Sequence, residues 1–215
     1  MGKNLRVVFI GIVLIFLAAC GSKKSPTGGE VDTEKPIVLS SFPLEMGDVS
    51  QGKIEIDFSK QMDRNTIQNS VYIYPPIERK KVTLNKSTLS IQIFDDLFND
   101  SFYYVTLTTR LKDLRGNPLA KAQTLVFRNG NPDSAMLSGL LRYEESSDSG
   151  LPIQLSLFSS DSLLVRVCEI SGSSFQIEHL KPSTNLLRAF IDKNQNGRYD
   201  RSEEHTSELQ SPNTI

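Results

Sequence analysis

Short stretches of alternating apolar and polar residues characterise the chain from Pro36 onward. In residues 54–58 (IEIDF) the apolar side chains fall on every second position, and acidic ones fall between them. The same period of two recurs at 71–75, 89–93 and 103–108. Because successive side chains of a β-strand point to opposite faces, this pattern predicts strands with one buried face. About seven such strands over residues 37–128, with no helical period of useful length, predict an antiparallel β-sandwich over 36–130.

A second series of strand patterns follows the turn-forming residues 129–133 (NGNPD). Glycine, proline and serine clusters separate its members, as expected for turns between strands. The segments are 136–142, 153–158, 163–167, 174–180 and 185–191. They predict a second, smaller sandwich over 134–200, truncated at five visible strands. The predicted fold class is therefore all-β, with two antiparallel sandwiches in series; one large sandwich is the alternative.

The first 35 residues have a different character. Lys3 and Arg6 precede an unbroken apolar run at 7–16, which small residues and Cys20 follow. The run is too short to span a bilayer comfortably and has the layout of a cleaved export signal. We therefore predict a helical signal peptide over 1–19 and, from its polar Gly/Ser/Pro composition, a flexible tether over 20–35.

Leu17–Cys20 (LAAC) resembles the lipobox of bacterial lipoproteins. The resemblance implies that Cys20 is lipidated and anchors an exported protein to the membrane of the cell envelope. Gly21 is compatible with sorting to the outer membrane. The alternative is an ordinary signal peptide with a chance cysteine. If Cys20 carries lipid, Cys168 has no intrachain disulfide partner, and its alternating context predicts a buried core residue.

Charge and composition exclude some classes of function. The formal net charge is −1, and the 24 lysines and arginines are scattered along the chain. A surface that binds nucleic acid needs a denser basic stripe, so we expect no nucleic-acid partner. Only two histidines occur, which leaves little for a Ser-His-Asp site. We therefore expect no enzymatic activity.

One segment has the spacing of a calcium loop, beginning at Asp192. Oxygen-bearing side chains fall at positions one, three, five and nine, a glycine falls at six and a glutamate at twelve. Position seven would bind through its backbone carbonyl. The candidate ligands are Asp192, Asn194, Asn196, Arg198, Asp200 and Glu203. An ordinary polar Asn/Gly turn is the alternative.

Four ordered motifs give the first predicted sandwich a family resemblance: 58–63 (FSKQMD), 72–76 (YIYPP), 97–105 (LFNDSFYYV) and 112–119 (KDLRGNPL). Together they resemble the bacterial Ig-like domain known from the S-layer protein SbsA. That family has no common enzymatic activity, and the resemblance implies a spacer, adhesion or surface-display module. Physically, the motifs read as turns: Asp113 and Asn117 flank Gly116, and Asp63 binds local amides or caps a helical turn near Arg64.

The second predicted sandwich resembles the prealbumin-like or carboxypeptidase-regulatory-like sandwiches, through 173–175, 180–182 and 188–190. Serines stand at 173 and 174, where glycine is usual. The whole layout is similar to exported lipoproteins of the Bacteroidota. Residues 201–211 (RSEEHTSELQS) resemble a translated sequencing adapter, which implies that 201–215 is a non-native tail and that Glu203 is accidental.

The predicted function is a membrane-anchored lipoprotein with a non-catalytic structural, adhesive or spacer role at the cell envelope, with a cell-surface protein or polysaccharide as its partner. The alternative is a carbohydrate-binding or assembly module attached to an enzyme whose C-terminal part is missing. A row of exposed tyrosines at 72, 74, 103 and 104 would provide a sugar-stacking platform for that alternative. In alternating strands, however, half of these rings are expected to face the core or to lie singly on the surface.

Overall fold

The computed structural model describes residues 2, 29–193 and 199. The chain divides into two compact units, Met1–Asp32 and Thr33–Ile215, and the described strands all lie in the second. The strands are β1 (Val38–Phe42), β2 (Lys53–Phe58), β3 (Val71–Tyr74), β4 (Lys80–Asn85), β5 (Thr88–Ile93), β6 (Ser101–Leu107), β7 (Gln123–Asn129), β8 (Ala135–Leu140), β9 (Ile153–Ser159), β10 (Leu164–Ile170), β11 (Ser174–Leu180) and β12 (Asn185–Phe190). Two short 3-10 helices, Arg64–Asn69 and Ser146–Asp148, complete the described elements.

Two antiparallel sheets form the first sandwich. One has the strand order β1-β2-β5-β4 and the other β3-β6-β7. Alternation explains the burial: in β2 and β5 the apolar residues point into the core and the polar ones point to the outer face. The core contains residues of both sheets, among them Ile54, Ile56, Leu89, Ile91, Tyr103, Val105, Leu107 and Phe127.

The sheet β3-β6-β7 is covered on both faces. Every residue of β6 is buried. Tyr103, Val105 and Leu107 lie in the first core, whereas Phe102 and Tyr104, on the opposite face, lie in a second core. Because this middle sheet contributes to both cores, the residues after β7 pack directly onto the first sandwich.

The second core is closed by strands β8 to β12. They form two sheets, of order β10-β9-β12 and β11-β8, all antiparallel. The core combines Phe102, Tyr104 and Val126 of the middle sheet with Leu141, Ile153, Leu155, Leu157, Val165, Phe175, Ile177 and Leu180. Cys168 is half-buried against this core and is a free thiol.

The predicted fold class, all-β with antiparallel sandwiches, is confirmed. The described strands of the second part match the five predicted segments to within a few residues at their ends. The domain boundary between 130 and 134 stays a prediction, because residues on both sides of it belong to one compact unit and share the second core.

Candidate functional site

Most of the residues that the sequence singles out for chemistry lie outside the described residues. They are Cys20, the calcium-loop positions Asn194, Asn196, Arg198, Asp200 and Glu203, and the tail 201–215. Lipidation, calcium binding through these positions and the adapter origin of the tail therefore stay predictions.

The first position of the predicted calcium loop, Asp192, is described and half-buried. Its neighbour Lys193 forms an ion pair with Asp148, with 2.9 Å between the ammonium nitrogen and the carboxylate oxygen. Tyr199 lies edge-on to Phe190, with ring centroids 5.9 Å apart. The ring at position eight of the predicted loop therefore lies against the end of β12.

Among the described residues, no group of three His, Cys, Asp or Glu side chains is placed to hold a metal ion. In the same part of the chain, no helix is long and apolar enough to cross a membrane.

The two acidic turns predicted in the first sandwich have the expected geometry. Asp63 caps the 3-10 helix Arg64–Asn69, and its carboxylate accepts a hydrogen bond of 2.9 Å from the amide of Asn65. Asp113 accepts hydrogen bonds from the amides of Arg115 and Asn117, both at 2.8 Å. Gly116 has the positive φ of 89° that this turn requires. Both carboxylates therefore hold turns.

These two turns lie next to each other, because the amide of Asp63 donates a hydrogen bond of 2.8 Å to the carbonyl of Lys112. Burial alone would raise the pKa of Asp113, but hydrogen bonds from Asn117 and Arg115, with the Lys60 charge, outweigh it and hold the pKa below its ordinary value. The ammonium of Lys60 lies 3.5 Å from this carboxylate. A carboxylate that is kept ionised and occupied in this way is suited to structure and not to general acid chemistry.

The tyrosines do not form a common stacking platform. Tyr103 and Tyr104 are each 2% exposed, on opposite faces of β6. The Tyr103 hydroxyl accepts a hydrogen bond from the amide of Phe98. Tyr72 is 37% exposed and Tyr74 is half-buried against the second core. The expectation that half of the four rings face inward is therefore met by Tyr103 and Tyr104.

A buried polar contact joins the middle sheet to β10. The hydroxyls of Thr106 and Thr124, on adjacent strands, lie 2.7 Å apart. The Thr124 hydroxyl also accepts a hydrogen bond of 2.7 Å from the backbone amide of Val167. Because β10 is an edge strand, this amide would otherwise be buried without a partner. The contact thus fixes β10 on the first sandwich.

Tyr104 makes a second link of the same kind. Its hydroxyl donates to the carbonyl of His179 at 2.9 Å and accepts from the amide of Lys181 at 3.3 Å. Burial raises the pKa of Tyr104 to about 12, although the bond from Lys181 lowers it. Sequence reasoning did not identify Thr106, Thr124 or Tyr104 as joint residues. Their only signal was the presence of aromatic and β-branched residues at positions assigned to an outer face.

Comparison with known proteins finds a family similar to the first sandwich. Residues 32–129, a little under half of the chain, match the family described as a bacterial Ig-like domain. The matched range coincides with the sandwich built from the sheets β1-β2-β5-β4 and β3-β6-β7. No curated protein matches the chain.

The chain is also similar to three structures of the bacterial S-layer protein SbsC. The N-terminal part of SbsC is 16% identical, covering 75% of this chain and 42% of that chain, with a TM-score of 0.33. The S-layer protein rSbsC(31-844) is 13% identical, with coverage of 76% and 33% and a TM-score of 0.33. Domains 1–6 are 13% identical, with coverage of 89% and 26% and a TM-score of 0.34. The chain spans less than half of the length of each of these structures.

Proposed function

We propose that this protein is a lipid-anchored, exported module that serves as a stiff spacer or adhesive element at the bacterial cell envelope, without catalytic activity. The observation that carries the proposal is the middle sheet β3-β6-β7, which is buried on both faces and holds the two parts of the folded unit together. Elements that share a buried sheet do not hinge freely, which suits a spacer. The lipobox-like segment 17–20 supports the proposed export and membrane anchoring.

The proposed membrane anchoring is tested by replacing Cys20, the proposed lipid acceptor. Cys20→Ser, expressed as the full chain in a bacterium, should lose incorporation of labelled palmitate and should no longer partition into the detergent phase. Cys168→Ser is the matched control, because it removes the other cysteine and should leave both readouts unchanged. Palmitate labelling and detergent partitioning of Cys20→Ser at the level of the unaltered chain would contradict the anchor.

Calcium binding at the loop that begins at Asp192 is a second proposed property. The edge-on contact between Phe190 and Tyr199 supports it, because it keeps position eight of the proposed loop close to the strand that precedes position one. Three carboxylates among the six proposed ligands suit weak binding, in the range of about 0.1–1 mM typical of extracellular modules. If the tail is non-native, the twelfth ligand is not Glu203.

Terbium luminescence tests this loop directly, since Tb³⁺ replaces Ca²⁺ and is excited through a nearby tyrosine. We expect luminescence that excess Ca²⁺ quenches and that Tyr199→Phe abolishes while the ring contact is kept. Asp192→Asn should weaken binding at least tenfold, and Asp161→Asn, in the exposed β9–β10 turn, should not. Equal luminescence from all variants would favour the ordinary polar turn.

The carbohydrate-binding or assembly module stays the alternative function, with polysaccharide or a cell-surface protein as the proposed partner. It predicts retention of the full chain on insoluble polysaccharide, and a pure spacer predicts none. With Tyr103 and Tyr104 in the two cores, Tyr72 is the most exposed of the four candidate rings. Retention that survives Tyr72→Ala would exclude this ring as the stacking group.

A further inference from the structure

A cleft of about 510 Å³ opens where the two parts of the folded unit meet. One wall comes from the segment after β6, including Thr109, Leu119 and Ala122, and the other from β9 and β10. Its volume lies in the range of small-molecule sites, which are about 300–1,000 Å³. The cleft is therefore large enough for a small organic ligand.

Two polar groups in the wall have no partner within the described part of the chain. Gln154 in β9 is only 9% exposed, and over residues 29–193 its side-chain amide makes no hydrogen bond. The hydroxyl of Thr109 is buried and likewise lacks a partner among the described residues. The Thr109 hydroxyl is fully enclosed, whereas the unpaired Gln154 amide is not, so Gln154 is the group that a polar ligand in the cleft can reach.

The lining of the same cleft contains one acidic and one basic side chain that are exposed. Glu169 of β10 lies directly across from Gln154 in the strand register, and Lys121 lines the same cleft. Both side chains are exposed and, over residues 29–193, neither forms an ion pair. The other charged residues of the lining, Lys35, Asp192 and Lys193, already have interaction partners.

We propose that the cleft binds a short peptide with free termini. In this arrangement Glu169 receives the ammonium group and Lys121 the carboxylate. The Gln154 amide, which both donates and accepts, pairs with the peptide bond. The apolar side chains of Leu119 and Ala122 pack against the ligand's own small side chains. Each polar group of such a ligand thereby meets a complementary group that the described part of the protein leaves unpaired.

Calorimetric titration of the full chain in detergent with L-alanyl-L-alanine tests the site. We expect saturable binding, weakened at least tenfold by Glu169→Gln and by Lys121→Gln. Lys81→Gln, on the outer face of β4, is the matched control and should bind as the unaltered chain does. Circular dichroism of each variant checks that the fold is intact.

Capped ligands assign each terminus to its residue. N-acetylation of the dipeptide should weaken its binding to the unaltered chain at least tenfold and should have little further effect on binding to Glu169→Gln. Amidation of the carboxyl end should likewise weaken binding to the unaltered chain and should have little further effect on binding to Lys121→Gln. The proposal is overturned if millimolar dipeptide gives no binding, if the two variants behave like Lys81→Gln, or if a neutral disaccharide binds while the dipeptide does not.

Discussion

At the scale of single residues, the ionised side chain of Asp113 stabilises the turn in which it lies. Its side chain is 2% exposed and accepts hydrogen bonds from two backbone amides, from the Asn117 side chain at 3.0 Å and from the Lys60 ammonium at 3.5 Å. The pKa of this carboxyl is lowered from its ordinary value. A lowered folded-state pKa means that ionised Asp113 stabilises the fold above the unfolded-state pKa, and that this stability is lost as the pH falls through the folded-state pKa.

Asp113→Asn should therefore destabilise the protein by about 1–3 kcal/mol near pH 7, because an amide nitrogen replaces one acceptor oxygen in the buried turn. The difference from the unaltered chain should shrink as the pH is lowered from 7 through the folded-state pKa of Asp113. Urea unfolding over a series of pH values measures this. Asp133→Asn, at an exposed position with no such bonds among the described residues, should change stability by less than about 0.5 kcal/mol. A pH-independent loss would show that charge plays no part.

Thr124 gives the second residue-scale prediction. Thr124→Val keeps the shape of the side chain but removes the acceptor for the Val167 amide, so we expect a loss of about 1–3 kcal/mol. Thr124→Ser keeps the hydroxyl and should cost less. Thr83→Val, on the exposed outer face of β4, is the control and should be nearly neutral. Urea unfolding gives the energies, and hydrogen exchange at Val167 should accelerate in the valine variant alone. Equal losses of stability in Thr124→Val and Thr124→Ser would show that the hydroxyl is not the cause of the destabilisation.

At the scale of elements, β8 and β11 depend on one glycine. Gly139 pairs with Phe175 across the two strands, and a Cβ at Gly139 would lie 2.7 Å from a ring carbon of Phe175. This contact is too short for real atoms, so the ring must leave its position in the second core. No left-handed backbone conformation is involved at Gly139; the requirement is space alone.

Gly139→Ala should therefore destabilise the protein by about 1–3 kcal/mol through overpacking. Thermal unfolding measures the loss, and Ser138→Ala, on the exposed face of the same strand, is the matched control. Phe175→Leu should make the same alanine less costly, because the smaller side chain vacates the contact and the two changes then couple. If the stability losses of Gly139→Ala and Phe175→Leu simply add in the double variant, the contact with the Phe175 ring is not the cause of the destabilisation.

The strands themselves were predictable because period two is a local property. Residues 54–58 and 89–93 show it plainly, and both form β-strands with the predicted buried face. The same rule placed Tyr104 among the outward-facing positions of its strand, whereas the structure buries it, together with Phe102 on the same face. What covers that face comes from strands far along the chain, and alternation carries no signal of such a partner. A near-continuous run of large residues in β6 was the available cue.

The candidate sites divide in the same way. Turn chemistry at Asp63 and Asp113 depends on residues within a few positions, so the sequence predicted it correctly. The burial of Gln154 could not be predicted from the sequence, because a polar residue in an alternating strand is expected to be exposed. In the structure, a distant segment near Leu119 encloses it in the cleft. Sites that depend on packing between distant segments require the tertiary structure.

At the scale of the whole molecule, the doubly buried middle sheet determines how the protein should unfold. Two sandwiches that only follow each other along a chain are free to lose structure separately. Here β6 and β7 supply side chains to both cores, so unfolding either core exposes one face of the same sheet. The loss of one core therefore destabilises the other, and we expect one cooperative transition for the unit that begins at Thr33.

Hydrogen exchange on the full chain measures this cooperativity. Amides of β5, in the first sandwich, and of β9, in the second, should open with the same free energy, because both require global unfolding. Thr124→Val should lower both values equally, although the substituted residue is in neither strand. If β9 instead opened at a lower free energy while β5 kept its protection, the two parts would be separate folding units, the boundary between 130 and 134 would be real, and the stiffness proposed for a spacer would have to come from elsewhere.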